Sequence, residues 1–464
     1  MAAQKDIETK AVGGELTAIP ALGSDTEDSG QEAEAAPASS RPPNGGLTAW
    51  MQVVACFFLY LNTLGLINTF GVFQTYYERT LLRGSSASAI AWIGSIQGFC
   101  FFAIGVVVGP AWDAGHCRSL LVAGTLLIAA GFMATSLSGA YWQILLAQGL
   151  CVGLGTSCLY IPSIALVPQY FDRDRRAWAM GLATMGSGTA ATVFPVMFTA
   201  LQPRIGFAWT VRVWGFLSLV TCGLAMAVAR PRFQAPVRAP VPVPGSGSGP
   251  ESEPEPKAAS RSIRSIVKAA RLTDPAYMVY VVAIFFNNLG FFEPLVYLQS
   301  YALDNGGAAS PATPYLLAIL NASSLFGRLV PSALAPRVGV VNAFIIVTFL
   351  SAASVFYWTS ASTAAGNIAF AVLYGFFAGG VVAFAPVVLT NMTTDMGTLG
   401  TRLGALSVLK GVGSLAGTPI AGAILQGGGG YLGMQLFTGF SILLTVAFSL
   451  VLRGMMKAGK GRRE

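Results

Sequence analysis

Hydrophobic positions along this chain gather into long apolar runs separated by short polar breaks. Twelve runs approach the roughly 20 residues that a helix needs to cross the hydrocarbon core of a bilayer. They cover 50–76, 88–109, 119–138, 141–167, 179–201 and 209–229, then 276–300, 311–333, 341–359, 364–390, 403–425 and 433–453. At this length they read as helices, because unpaired backbone groups are too costly in lipid and barrel strands are about half as long. Glycines recur at spacings suited to close helix contact, as at Gly149, Gly153 and Gly155 or Gly181, Gly186 and Gly188. Between the sixth and seventh runs, Pro231 to Ser260 is rich in Pro, Gly, Ser and Glu and cannot bury enough apolar surface to order itself.

These breaks predict an all-α membrane protein, with twelve transmembrane helices in two pseudo-symmetric six-helix bundles. Its parts are a disordered tail over 1–46, a first bundle over 47–230, a linker over 231–272, a second bundle over 273–453 and a basic tail over 454–464. Within the linker, Arg261 to Arg271 carries Ile263, Ile266 and Val267 and is expected to form a short amphipathic helix on the membrane surface.

Composition points to the same solvent. Of the 464 residues, 54% are hydrophobic and 10% charged, and the mean hydropathy is +0.62. A soluble protein carries about 25% charged residues. Eight of the 20 acidic residues lie in residues 1–46 and three in 251–255; of the rest, only Glu293 sits well inside an apolar run. The net charge of +8 comes from basic loops rather than from a nucleic-acid surface. Cys56, Cys100, Cys117, Cys151, Cys158 and Cys222 show no metal-ligand spacing and read as small packing residues. Residues 1–46 lack a hydrophobic signal core, so the first helix is expected to serve as its own insertion signal.

Lys and Arg set the orientation. With the N-terminus inside, internal loops hold Arg118, Arg173, Arg175, Arg176, Arg337 and Arg402, together with the basic linker and a tail with Lys457, Lys460, Arg462 and Arg463. External loops hold Arg79, Arg83, Arg204 and Arg212. Both termini are expected in the cytoplasm. The plasma membrane is the default location, with a vacuolar or vesicular membrane as the alternative.

Several stretches carry a family resemblance. The first run opens with Asn44-Gly45-Gly46-Leu47-Thr48-Ala49-Trp50 and continues through Asn68-Thr69-Phe70-Gly71-Val72-Phe73-Gln74 to Tyr76-Tyr77. The fifth opens with Tyr170-Phe171, Arg175-Arg176 and Ala179-Met180-Gly181, followed by Gly186-Ser187. The seventh holds Gly290, Pro294, Tyr297-Leu298 and Tyr301-Ala302; the eleventh opens with Thr401-Arg402-Leu403-Gly404 and holds Thr418-Pro419-Ile420-Ala421-Gly422. The loop after the second run shows Gly109, Asp113, Gly115 and Arg118. In order, these motifs resemble the major facilitator superfamily and, within it, the fungal branch of the monocarboxylate-porter family.

By that resemblance, Asp113 would pin a cytoplasmic gate, pairing with a basic residue or a neighbouring helix end, with Arg118, Arg175, Arg176 and Arg402 around it. Asn44 stands where the family usually has an acid, and one extra residue lies among the charges before the fifth helix. In the second half Pro336 stands where an Asp is expected. The animal lactate and pyruvate carriers of this family have a lysine where counting from Trp50 gives Asn68. Their helix 8 has an acid four residues before its arginine, where this chain has Ser324. The drug–proton antiporter groups have an arginine before Gln-Gly on helix 4, where this chain has Leu145 before Gln148-Gly149.

Ionisable residues inside a membrane are costly and usually face a cavity. Arg328 shares a helix face with Asn321 and Ser324. The resemblance implicates the corresponding arginine in binding a carboxylate, which suits a guanidinium fork; bonding to a neighbouring helix is the alternative. Lys410 either lines the cavity or snorkels to the interface. Glu293, before Pro294, is the candidate proton carrier or else a rim residue. Asn62 and Asn68, with Asn287 and Asn288 on the equivalent helix of the other half, offer neutral hydrogen-bonding groups or helix–helix contacts.

Enzyme signatures are lacking: no phosphate-binding Gly-Lys-Ser/Thr, no His/Glu metal pair and no nucleophile elbow. His116 stands alone in a loop, and no metal or cofactor is expected. Sequons at Asn321 and Asn391 fall in a helix and an internal loop. The expected function is a monomeric secondary transporter, not an enzyme, moving a small organic solute, with protons as candidate coupling ion, by alternating access. Export of a fungal secondary metabolite or organic acid leads. Proton-linked uptake of a monocarboxylate or riboflavin-like nutrient is the alternative, and a transporter-like receptor the remote one.

Overall fold

The computed structural model describes residues 42–85, 87–232, 272–305, 312–393 and 395–460. Among them, eleven helices are long and apolar enough to cross a membrane. The first four are α1 Leu47–Leu81, α2 Trp92–Asp113, α3 Cys117–Leu137 and α4 Tyr141–Gln169. Next comes a helical stretch of 56 residues, Arg173–Val228. Straight, it would be about 84 Å long, more than twice the hydrocarbon thickness. It turns back at Gly206 (φ 77°, ψ 167°), a conformation open to glycine and strained for other residues. Its limbs are α5 (173–205) and α6 (207–228).

The remaining helices are α7 Pro275–Asp304, α8 Leu316–Val338, α9 Val340–Trp358, α10 Ala364–Met392, α11 Met396–Ile424 and α12 Gly427–Ala458. Twelve crossing segments result, as the apolar runs predict. Their ends differ from the runs where polar residues are helical. α5 begins six residues early because Asp172 caps it, its side chain accepting from Arg175 N. α12 runs past 453 through Lys457, whose long stem suits an interfacial helix turn. Of the tail expected over 1–46, residues 1–41 lie outside the described residues, while 42–46 are placed and Asn44 is bonded to Asp172 and Arg175. Of the linker expected over 231–272, residues 233–271 with the amphipathic helix lie outside them.

The halves are built alike. α5 packs closely on α1, with Gly186 against the Phe57 carbonyl, and α11 packs on α7 in the same manner, with Gly417 against the Leu289 carbonyl. α10 lies along α8 as α4 lies along α2. The dressing is that of a protein in lipid: large apolar side chains such as Phe326, Val107 and Val220 point outward, while Arg328, Glu293, Asn287 and many Ser and Thr are buried.

The equivalent helices α1 and α7 are both irregular near their middles. α1 departs from helical geometry at Thr63 (φ −114°, ψ −97°). α7 changes course at Phe292 (φ −90°, ψ −18°), where Pro294 lacks an N–H and crowds the preceding turn. In a membrane, backbone freed this way persists where it is buried in protein or lines a cavity.

Candidate functional site

Two regions stand out: a closed seam at one end of the molecule and a cavity between the halves.

At the seam, the Asp113 carboxylate at the end of α2 reaches across to the start of α11. Its Oδ1 accepts from Gly400 N at 2.7 Å, and its Oδ2 from Thr401 N at 2.6 Å and Thr401 Oγ1 at 2.7 Å. The first N–H groups of a helix have no partners within it and carry partial positive charge, so a carboxylate is well placed there. Glycine makes the approach feasible: a Cβ at 400 would stand 2.5 Å from the Gly109 carbonyl oxygen, and one at 109 would stand 2.1 Å from that of Gly400.

Two arginines occupy matching places in the halves. Arg176, near the start of α5, donates to the Pro168 and Phe171 carbonyls at the end of α4. Its Nη1 crosses to Asn391 Oδ1 of α10 at 2.8 Å. Arg402, near the start of α11, donates to the Met392 carbonyl and Thr393 Oγ1 at the end of α10, pairs with Asp274 at 3.4 Å and lies over the Tyr277 ring. Arg175 Nη1 donates to the Asn44 carbonyl at 2.9 Å, and the Asn44 amide donates to Asp172. An acid at 44 would set two carboxylates against each other, so amide and extra charged residue fit together. Arg118 and His116 are exposed beside this end face.

Arg328 belongs to the seam. It is buried on α8, and its guanidinium donates to the Thr184 carbonyl and to Ser187 Oγ of α5. It ties the halves together and is not among the cavity-lining residues. Asn321 and Ser324 are buried on the same helix, where Ser324 Oγ donates to the Asn321 carbonyl at 2.7 Å. Neither lines the cavity.

The cavity lies between α1, α2 and α4 on one side and α7, α10 and α11 on the other. Tyr60, Phe102 and Tyr160 face Asn287, Asn288, Phe291 and Phe292, with Lys410 beside them. Lys410 Nζ donates to Tyr160 Oη at 2.9 Å. Asn288 Nδ2 donates to its own helix at the Ile284 carbonyl, 2.8 Å away. Asn62 lies elsewhere: it is buried between α1 and α6, donating to the Phe58 carbonyl at 2.9 Å and Thr221 Oγ1 at 2.7 Å. Asn68 is half-buried on α1 and does not line the cavity.

Glu293 is fully buried at the bend of α7. A Cβ at Gly417 would stand 2.7 Å from its Oε1, so the carboxyl is packed against bare backbone of α11. Backbone N–H groups of Phe292 and of Glu293 itself are the donors beside it, yet neither oxygen completes a hydrogen bond among the described residues. Tyr374 Oη is nearby but donates to the Phe291 carbonyl at 2.8 Å.

The residues that the sequence does not single out are aromatic: Tyr60, Phe102, Tyr160, Phe291 and Phe292. Within an apolar run, a ring facing a cavity has the same polarity as one facing lipid. The seam partners Thr184 and Ser187 are likewise small polar residues among many.

A family profile for the Major Facilitator Superfamily matches residues 52–398. The chain is 37% identical over 388 residues to the MFS-type transporter dbaD of Emericella nidulans, covering 82% of this chain and 80% of that one. To the aspyridones efflux protein apdF of the same organism it is 34% identical over 432 residues, covering 92% and 83%. To the fujikurins efflux protein of Gibberella fujikuroi it is 34% identical over 413 residues, covering 88% and 83%. Among solved structures, the fold resembles the fucose:proton symporter FucP of E. coli (TM-score 0.65, 14% identity, 87% and 98% covered). It resembles the human organic anion transporter MFSD10 equally (TM-score 0.65, 14% identity, 88% and 100% covered).

Proposed function

The chain belongs to the major facilitator superfamily, and we propose that it exports a bulky organic metabolite of fungal secondary metabolism by alternating access. The observation that carries this is the aromatic-walled cavity between the halves with a single lysine in it, Lys410. Relatives that share most of its length are named as efflux proteins for aspyridones and fujikurins, which supports export. Placement within the monocarboxylate-porter branch rests on the motifs around Trp50, Arg176 and Arg402.

The basic loops put the Asp113 end in the cytoplasm of a plasma-membrane protein with both termini inside. The seam then closes the cavity to the cytoplasm, and the conformation is the one that releases solute outward. Loading requires the α2–α11 and α5–α8 contacts to part. Protons returning down their gradient through Glu293 would drive the cycle in a monomer, because an unpaired buried carboxyl can be neutral in one state and ionised in the other.

Expression in a transporter-poor host and measurement of labelled solutes leaving preloaded cells test the proposal. The panel holds short monocarboxylates, riboflavin-sized vitamins and acidic polyketides, each at two external pH values. Faster loss of the bulky acidic compounds is expected. Net uptake of a short monocarboxylate or vitamin, with no accelerated loss of the bulky set, would overturn it in favour of a nutrient permease.

A further inference from the structure

We propose that the cavity selects its solute as an aromatic oxyanion, a ring system bearing an ionised phenol or enol, with Lys410 as the counter-ion and Tyr160 as the residue that positions it. Charge makes the first part of the case. Lys410 brings a cation into the cavity, and among the described residues no Asp or Glu lines it. The ammonium has three donors; Tyr160 Oη takes one at 2.9 Å. Among the described residues Lys410 has a hydrogen-bond partner and two aromatic neighbours but no counter-charge, its Nζ lying 5.3 Å from the Phe102 ring centre and 5.5 Å from that of Tyr160. Ring faces hold a partly desolvated cation without neutralising it. An arriving anion completes the pair.

Shape and polarity make the second part. Besides Lys410, the walls are mostly rings and aliphatic groups, with Phe291 and Phe292 across from Tyr60 and Phe102, and Ile284 and Val381 alongside. A compact carboxylate keeps its charge on two oxygens and is best met by a forked guanidinium. The fork of Arg328 is engaged by Thr184 and Ser187 instead. Lys410 is a point charge on a flexible stem. It can meet one oxygen of a delocalised anion while the ring system lies against aromatic walls, where charge spread over many atoms is less costly to bury. Asn287, on the facing helix, provides an amide for a second oxygen.

The proposal rests on the export reading above and narrows its substrate. The test uses the full chain in lipid nanodiscs and a matched pair of probes: 4-hydroxycoumarin, an enol ionised at neutral pH, and its neutral ether 4-methoxycoumarin. Tritiated 4-hydroxycoumarin is measured by equilibrium dialysis, with the ether and benzoate as competitors. Wild type is expected to bind the enolate about tenfold or more tighter than the ether or benzoate. Lys410→Met should remove that preference while retaining the weaker binding of the ether, which shows that the variant is folded. Lys410→Arg should restore most of the preference, and Tyr160→Phe should reduce it in part. Equal binding of enolate and ether by wild type, or an unchanged preference in Lys410→Met, would overturn the proposal even if cells export other compounds. Lysine-dependent binding of the enolate in nanodiscs, without accelerated loss from cells, would uphold it and sink the export reading instead.

Discussion

At the residue scale, the three ionisable side chains inside the apolar runs, Glu293 and Arg328 buried and Lys410 half-buried, divide the labour by what surrounds them. Lys410 faces the cavity, Arg328 joins two helices, and Glu293 has packing but no completed hydrogen bond among the described residues. Removing the Arg328 guanidinium leaves the Thr184 carbonyl and Ser187 without their charged donor, and hydrogen bonds to charged groups are worth about 1.5–3 kcal/mol each. Arg328→Ala should lower the thermal midpoint of the purified protein markedly, with Arg328→Lys recovering little because one ammonium cannot reproduce the planar fork. A midpoint equal to wild type would show that the α5–α8 contact does not need this residue. Glu293→Gln keeps the shape and removes the ionisable group. It should raise the thermal midpoint, since an unpaired buried carboxyl is costly, and make efflux indifferent to an imposed pH gradient. Efflux that still follows the gradient in this variant would assign coupling to another group.

At the element scale, function depends on helix ends and crossings. The Asp113 carboxylate on the first turn of α11 acts as an N-cap supplied by another half of the molecule. Loss of a cap costs about 0.5–2 kcal/mol, and here that cost falls on the closed seam alone. Asp113→Ala should therefore shift the population toward the seam-open state, read as faster labelling of a cysteine introduced at Thr401. Gly400→Val goes further, because even a Cβ at 400 would collide with the Gly109 carbonyl; labelling should become fast and efflux should fall. Labelling at the wild-type rate in both variants would mean that the seam is held elsewhere. The resemblance leads to a carboxylate at 113 meeting a basic residue or a helix end, and the geometry selects the helix end. Arg176 and Arg402 were legible as candidates from their motifs. Their carbonyl partners at the ends of α4 and α10 were not, because backbone acceptors leave no mark on sequence.

At the scale of the whole molecule, the described contacts between halves lie toward one end: the last turns of α2 against the first of α11, and the first half of α5 against the last half of α8. The cavity lies beyond them, so opening and closing amount to one half rocking against the other. The proposed orientation, with twelve crossings, has both termini in the cytoplasm. Epitope tags at either end should be reached by antibody only after permeabilisation of expressing cells, whereas a tag in the α1–α2 loop should be reached in intact cells. Reversed access would invert the orientation and make the seam an extracellular gate.

What the sequence alone determined is what polarity and chain geometry control. Apolar runs of membrane length set the helix count, Lys and Arg between them imply the orientation, and five ordered motifs point to the family. Ionisable residues inside the runs nominate Glu293, Arg328 and Lys410. Only the tertiary structure decided which of these meets the cavity, since that depends on helix rotation, and in a run apolar on every face nothing in the order of residues records it. The same reason hid Tyr60, Phe102 and Tyr160. The break between the fifth and sixth runs shows the complementary case: polarity places it at 202–208, and the structure makes the turn there with one backbone torsion at Gly206, as membrane thickness requires.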